Sequence, residues 1–302
     1  MDPQSLPFVF VFNLFSAATL GLSPKMLQDA LVARDAARSD LLIVSLVADS
    51  VPFHDFHAIT VAPYPSRFTA VIVEPTIDSS FALAVRTTMF HLGPTWGLQV
   101  FHSKENAEFV KSALSDMLNV RFVLIKGPLL DITQYNKLLK SDAFWASLES
   151  AKVLLFQSDS IILKSGIDKY MEYDYAGAPW RTNDNIKIVE LRSQGWLPIA
   201  VGNGGFSLRN VSLMQTVIRK EGAGSPDTEN EDIFFSQHIQ RVPGARVSPE
   251  SVAYEFCKEE NVPTLELSGN RVTSHFALHA AWYYNGQDRI TELLLSAVSP
   301  SF

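Results

Sequence analysis

The chain has 302 residues, 47% of them hydrophobic, and 32 acidic against 25 basic side chains give a formal charge of -7. That composition supports a sizeable packed core and excludes a broad nucleic-acid surface, because phosphate binding depends on clustered Lys and Arg. A single cysteine, Cys257, excludes an intramolecular disulfide, so packing alone must hold the fold.

The first element is an apolar run, Leu6 to Leu22, interrupted by Asn13, Ser16 and Thr19. Two readings stand. The run is a membrane anchor or signal, which implies a lumenal Golgi or secretory-pathway domain, or it is the packed leader of a soluble, cytoplasmic protein. Its length lies at the short end of the ~17–25 residues that span a bilayer, and Met1 to Ser5 carry no basic residue. A predicted helix over Met26 to Ala37 and a second apolar run, Leu41 to Val47, complete a leader of residues 1–60. His54 and His57 are too few to read as a metal site.

A domain of residues 61–290 follows, with 291–302 as a tail. It opens at Ala62-Pro63-Tyr64-Pro65 and alternates regularly: a strand to Val73 and Glu74, a helix over Ser79 to Leu92, a strand at 97–102, a helix over Lys104 to Leu118 and a strand at 120–125. Alternation with continuously apolar strands predicts an α/β fold, a mixed but mostly parallel sheet with helices on both faces. Ligands of such sheets bind beyond the strand carboxyl ends.

Residues 151–163 place one acidic residue, Asp159, between two apolar runs that each read as a buried strand. A lone buried carboxylate is costly unless it is paired or holds a cation, so this position asks for a chemical explanation. Further on, Gly202, Gly204 and Gly205 lie within four positions beside Asn203; they suit a tight turn or a backbone that something approaches closely. Glu231 and Asp232 run into Ile233-Phe234-Phe235, as carboxylates do in the first turn of a helix. The sequon Asn210-Val211-Ser212 follows the glycine turn and discriminates nothing.

Taken in order, Leu155-Phe156-Gln157-Ser158-Asp159-Ser160, Glu172 to Trp180 (EYDYAGAPW), Gly202 to Arg209 (GNGGFSLR), Glu231-Asp232 and the late His279 resemble a family of predicted glycosyltransferases. That family is catalogued as a domain of unknown function and is itself similar to the GT-A group; the resemblance spans about residues 65–285. It implies a divalent cation, Mn2+ or Mg2+, held by Asp159 and His279. Gln157 stands where GT-A enzymes carry the first aspartate of Asp-x-Asp, which leaves one ligand charge instead of two. His275 competes with His279 for the late-histidine role.

The same resemblance implies a nucleotide-sugar donor contacted by Val73, Glu74, Arg86, Gln157, Asp159, Gly204 and Gly205. A glycan, glycoprotein or small-molecule acceptor would meet Asp174, Trp180 and Asn203. Asp232, with Glu231 as second choice, would act as the base that takes a proton from the acceptor hydroxyl. Ordinary readings stand beside these: Arg86 in a surface salt bridge, Asp174 capping a turn, Trp180 in the core. Two other functions remain open, a sugar nucleotidyltransferase and an inactive sugar-binding relative. No Gly-rich phosphate loop, G-x-S-x-G elbow or H-E-x-x-H helix occurs, which argues against common NTPase, hydrolase and metalloprotease chemistry.

Overall fold

The computed structural model describes residues 59–127, 131–180, 186–259 and 275–284. The apolar run 6–22, the helix at 26–37, the run 41–47, both early histidines and the tail 291–302 lie outside the described residues. Among the described residues no helix is long and apolar enough to cross a membrane.

Six strands build the central sheet: β1 (Phe68–Glu74), β2 (Trp96–His102), β3 (Arg121–Leu124), β4 (Lys152–Phe156), β6 (Tyr175–Pro179) and β7 (Val201–Asn210), in the order β3-β2-β1-β4-β7-β6. The first four run parallel, whereas β7 is antiparallel to both β4 and β6. A second sheet sets β5 (Ile161–Ile162) and β8 (Cys257–Lys258) on either side of β9 (Ala277–Leu278).

Period-two alternation along the strands sorts the core into two layers. Ala70, Ile72, Leu154, Phe156, Phe206 and Leu208 face α1 (Phe81–Leu92) and the aromatic pair Phe256 and Phe276. Val71, Val73, Val153 and Leu155 face α3 (Ile132–Leu139), α4 (Asp142–Ala146), α6 (Val211–Glu221) and α7 (Glu231–Ile239). Because both faces are covered, β1, β2 and β4 read as nearly unbroken apolar runs, whereas β6 and β7, with Gly177, Gly202, Asn203, Gly204, Gly205, Ser207 and Arg209, do not, and their sequence does not announce them as strands.

Local signals set the helix ends. Asp131 and Gln134 form a reciprocal capping box at the start of α3, and the Asn210 side chain accepts from Leu213 N at the start of α6. The helix expected over 104–118 is shorter, α2 (Ala107–Ala113). Asn106 is committed elsewhere: its amide donates to the carbonyls of Glu74 and Thr76 at 2.8 and 2.6 Å and ties the loop after β1 to the loop after β2. Two further helices are α5 (Ile186–Ser193) and α8 (Glu250–Phe256).

The strand order reverses between β1 and β4. The chain builds outward through β2 and β3, then returns to the other side of β1, and such a switch point opens a crevice at the carboxyl ends of the two strands. Ile72 pairs with Phe156, so Glu74 and the segment from Gln157 to Asp159 leave the sheet side by side at that crevice.

Candidate active site

Asp159 sits in the tight turn that joins β4 to β5. Gln157 N donates to Gly205 O at 2.9 Å, Ser160 N to Gln157 O at 3.0 Å, and Ala281 N to Asp159 O at 3.1 Å, so three distant stretches of chain fix the turn. The residue is 6% exposed, and its Oδ1 accepts no hydrogen bond among the described residues. His279, just after β9, brings Nε2 to 3.6 Å from that oxygen and 3.1 Å from Gln157 Oε1. The other ring nitrogen lies 3.4 Å from Glu259 Oε1, and Glu259 Oε2 accepts from Asn203 Nδ2 at 2.6 Å. A continuous line of polar groups thus runs from Asp159 through His279 and Glu259 to Asn203.

Burial raises the Asp159 carboxyl above the usual carboxylate range, and the His279 imidazole opposes that shift. For His279 burial works against the charged ring, but Asp159 and Glu259 outweigh it and lift the imidazole to about 9. The residues suit a hard divalent cation: one carboxylate oxygen without a donor, one imidazole nitrogen and one amide oxygen converge on the turn. Among the described residues no three His, Cys, Asp or Glu side chains form a ligand group of their own, so a cation here would need ligands from substrate phosphate and water, as Mg2+ sites commonly do. His275 is directed elsewhere, with Nδ1 2.8 Å from Tyr254 O and its ring edge-on to Tyr254.

The glycines serve close approach. A Cβ at Gly205 would overlap the His279 ring, and one at Gly204 would overlap Glu231 and lie 2.9 Å from Asp232 Cβ. At Gly202 φ is +115°, and a Cβ would meet both Tyr175 and Ser236; the three glycines lie inside strand β7, beside a register shift against β6, so close approach is the reading that holds and no tight turn forms there. Asp232, at the start of α7, accepts from Gly204 N at 3.1 Å and from Ile233 N at 2.7 Å. Burial and the neighbouring Glu231 carboxylate push Asp232 up to about 7.

Glu231 has a different job from the one expected of a second base. Both its oxygens are held by the Arg209 guanidinium at 2.6 and 3.0 Å, in a pocket walled by Tyr175, Trp145 and Phe235 where Arg209 is fully buried. A carboxylate clamped in this way is tied up as a structural counter-ion.

At the β1 end, Glu74 is 3% exposed and accepts from Thr76 N and Oγ1 at 2.9 and 2.7 Å. Burial, with Asp78 beside it, pushes Glu74 up to about 8. Ser158 donates to Asp78 at 2.9 Å, which links this carboxylate pair to the turn that carries Asp159. Val73 is a core residue at the same strand end, its side chain packed on the helix-covered face.

Two expected contacts fall away from the crevice. Arg86 grips Asp116 with two bonds of 3.0 and 2.6 Å and donates to Ala113 O, so its position on α1 aims it at the end of α2. Asp174 precedes Tyr175, which pairs with Arg209 at the level of Val153, so it lies at the opposite end of the sheet, bonded to Asn210 Nδ2 and Arg246 N. Trp180 does stand at the crevice end, where its N–H meets Ala200 O, but its ring packs against the small cluster of Ile188, Leu197, Ala200 and Ile233. Sequence reading missed Glu259 and Asp78; neither belongs to a motif, and only the paired strand ends bring them in.

Solved structures similar to this chain are glycosyltransferases at low identity. The WbbM bifunctional glycosyltransferase matches over 78% of this chain at 13% identity with a TM-score of 0.48, and this chain spans 50% of its length. Galactosyltransferase LgtC in complex with donor and acceptor sugar analogs matches over 77% of this chain and 97% of its own, at 13% identity and a TM-score of 0.45. Mannosyltransferase PcManGT from Pyrobaculum calidifontis, in complex with GDP-Man and Mn2+, covers 73% of this chain and 65% of its own at 13% identity, with a TM-score of 0.40. No curated protein matches the chain. Residues 118–279, more than half of the sequence and the stretch that holds Asp159, the glycines of β7, Asp232 and His279, match the family described as protein of unknown function (DUF5672), and the chain belongs to that family.

Proposed function

We propose that this protein is a divalent-cation-dependent glycosyltransferase that moves a sugar from a nucleoside-diphosphate donor to an acceptor hydroxyl. The observation that carries the reading is the meeting of Asp159 and His279, 120 residues apart in sequence, with Nε2 3.6 Å from Oδ1 at the switch point of a mostly parallel sheet. Asp159, His279 and the Gln157 amide oxygen would hold the cation, which when bound offsets the charge that builds on the departing diphosphate. Gly204 and Gly205 let Asp232 and the His279 ring, rather than the ligand, lie against the main chain, and Glu74, as neutral acid, can donate to a polar atom of the donor at the β1 end.

In the chemical step the bond between the anomeric carbon and the diphosphate oxygen breaks, and the acceptor oxygen forms the new bond to that carbon. Asp232 takes the proton that the acceptor hydroxyl gives up. Its oxygens are oriented by two backbone N–H groups, and its elevated proton affinity matches a base that works near neutrality.

One feature favours a second reading, a relative that binds the donor without turning it over: Gln157 leaves a single carboxylate at the turn and engages His279 itself. Release of nucleoside diphosphate in the presence of Mn2+ separates the two. Thermal shift against a panel of nucleoside diphosphates with Mn2+ identifies the base, since a ligand that prefers the folded state raises its midpoint. Asp159→Ala is expected to abolish the metal-dependent release while melting remains cooperative, because the residue lies in a turn outside both core layers. Near-normal release by that variant would remove Asp159 from the mechanism.

A further inference from the structure

The protein side of the proposed cation site is short of negative charge. With Gln157 in the turn, Asp159 brings one charge against the two of a divalent ion, and the imidazole and the amide bring none. A second carboxylate stands behind the ring. Glu259 Oε1 lies 3.4 Å from His279 Nδ1, while Gln157 and Asp159 face the other ring nitrogen, Nε2, at 3.1 and 3.6 Å. Glu259 and Asp159 are near enough to repel each other across the ring, a repulsion that a bound cation relieves.

Glu259 is itself held in place. Its Oε2 accepts from Asn203 Nδ2 at 2.6 Å, and Asn203 Oδ1 accepts at 3.1 Å from the N–H of Gly205, whose missing Cβ makes room for the His279 ring. Both ends of the Asn203 amide are thus committed, which turns this residue from the acceptor contact expected of it into a brace between β7 and Glu259. A carboxylate on the far nitrogen of a metal-bound imidazole fixes ring and tautomer: it keeps the proton on Nδ1 and leaves the Nε2 lone pair for the ion. Resting on the proposed cation site, we infer that Glu259 is a positioning residue that supplies, through His279, the negative charge Gln157 does not, and that Asn203 holds it there.

Mn2+ alone, titrated into the full chain and followed by the paramagnetic resonance of the free ion, tests the inference. The nitrogen modulation that an imidazole ligand imposes on bound Mn2+ shows that the ion counted sits at His279. Glu259→Gln keeps the shape and drops the charge, and should weaken Mn2+ binding about tenfold, the lower end for a ligating histidine that loses its partner. Glu259→Asp alters the shape and keeps the charge, and should bind more tightly than Glu259→Gln, an order that a packing role alone would reverse. Asn203→Ala should weaken binding in the parent and cost nothing further beside Glu259→Gln, since the two act through one group. Parent affinity in Glu259→Gln, or weaker binding in Glu259→Asp than in Glu259→Gln, overturns the inference, and additive losses overturn the part given to Asn203. A parent chain that binds no Mn2+ sinks the cation reading itself, whereas Mn2+ held equally well at His279 with or without Glu259 sinks only this inference.

Discussion

A methyl group at position 205 would overlap the His279 imidazole, so Gly205→Ala must push that ring away from Gln157 and Asp159. Backbone at this position lies outside the left-handed region, so the substitution acts through space alone. The expected result is a loss of Mn2+-dependent nucleotide binding by tenfold or more, on the order of the loss when a ligand's orientation is disturbed, with far-ultraviolet circular dichroism unchanged. Binding at the parent level would show that His279 takes no part in holding the cation. Asp232 supports a second residue-scale prediction. A base that titrates near 7 makes kcat rise with pH up to about 7 and then level off. Asp232→Asn should lower kcat by about 100-fold or more and flatten that rise, while donor affinity stays the same. A change confined to donor affinity would move Asp232 from base to binding residue.

At the scale of the element, α7 is fixed to β7 by the Arg209–Glu231 pair as much as by its apolar face. The backbone N–H of Glu231 also donates to Asn136 Oδ1 of α3 at 3.1 Å, so three elements meet at one buried residue. Glu231→Gln leaves a guanidinium buried without its counter-ion, which costs about 3–5 kcal/mol. Urea unfolding should register that loss with an unchanged slope, and a variant as stable as the parent would refute the structural role given to the pair. These elements also mark how far the sequence could be read. β1, β2 and β4 were legible because burial on both faces leaves nearly unbroken apolar runs, and Asp159 stood out as the one charge between two of them, whereas β6 and β7 were hidden by their glycines and polar residues. The glycines announced close approach but not which side chain made it. Of the two readings of Arg86 the salt bridge holds and the donor contact does not, because the side chain projects from α1 to Asp116 beyond α2; Asp174 misses the acceptor because the strand order that puts it at the far end of the sheet follows from pairing between distant segments. Glu259 was invisible for the same reason, since only the pairing of β8 with β9 brings it to His279.

For the whole molecule, the buried groups that hold protons more tightly when folded than their ordinary values allow include Glu74 at about 8, Asp232 at about 7 and His279 at about 9. Each therefore acts on stability with the same sign. Between 4.5 and about 8 Glu74 is protonated in the fold and ionised in the unfolded chain, so unfolding releases a proton and rising pH favours the unfolded state. Asp232 does the same from 3.8 to about 7, and the stability that His279 gains from its carboxylate neighbours is complete below 6.5 and lost as pH rises through about 9. The metal-free protein should accordingly be more stable at pH 6 than at pH 9, with a slope of at most about 1.4 kcal/mol per pH unit for each group. Glu74→Gln offers the cleanest check, because an amide oxygen can still accept from Thr76 N and Oγ1 while nothing remains to ionise. Chemical unfolding of parent and variant across pH 5 to 9 should show a shallower decline in the variant below about 8 and parallel curves above it. Parallel curves throughout would mean that Glu74 is ionised in the folded protein, and would withdraw it as a proton donor to the nucleotide-sugar.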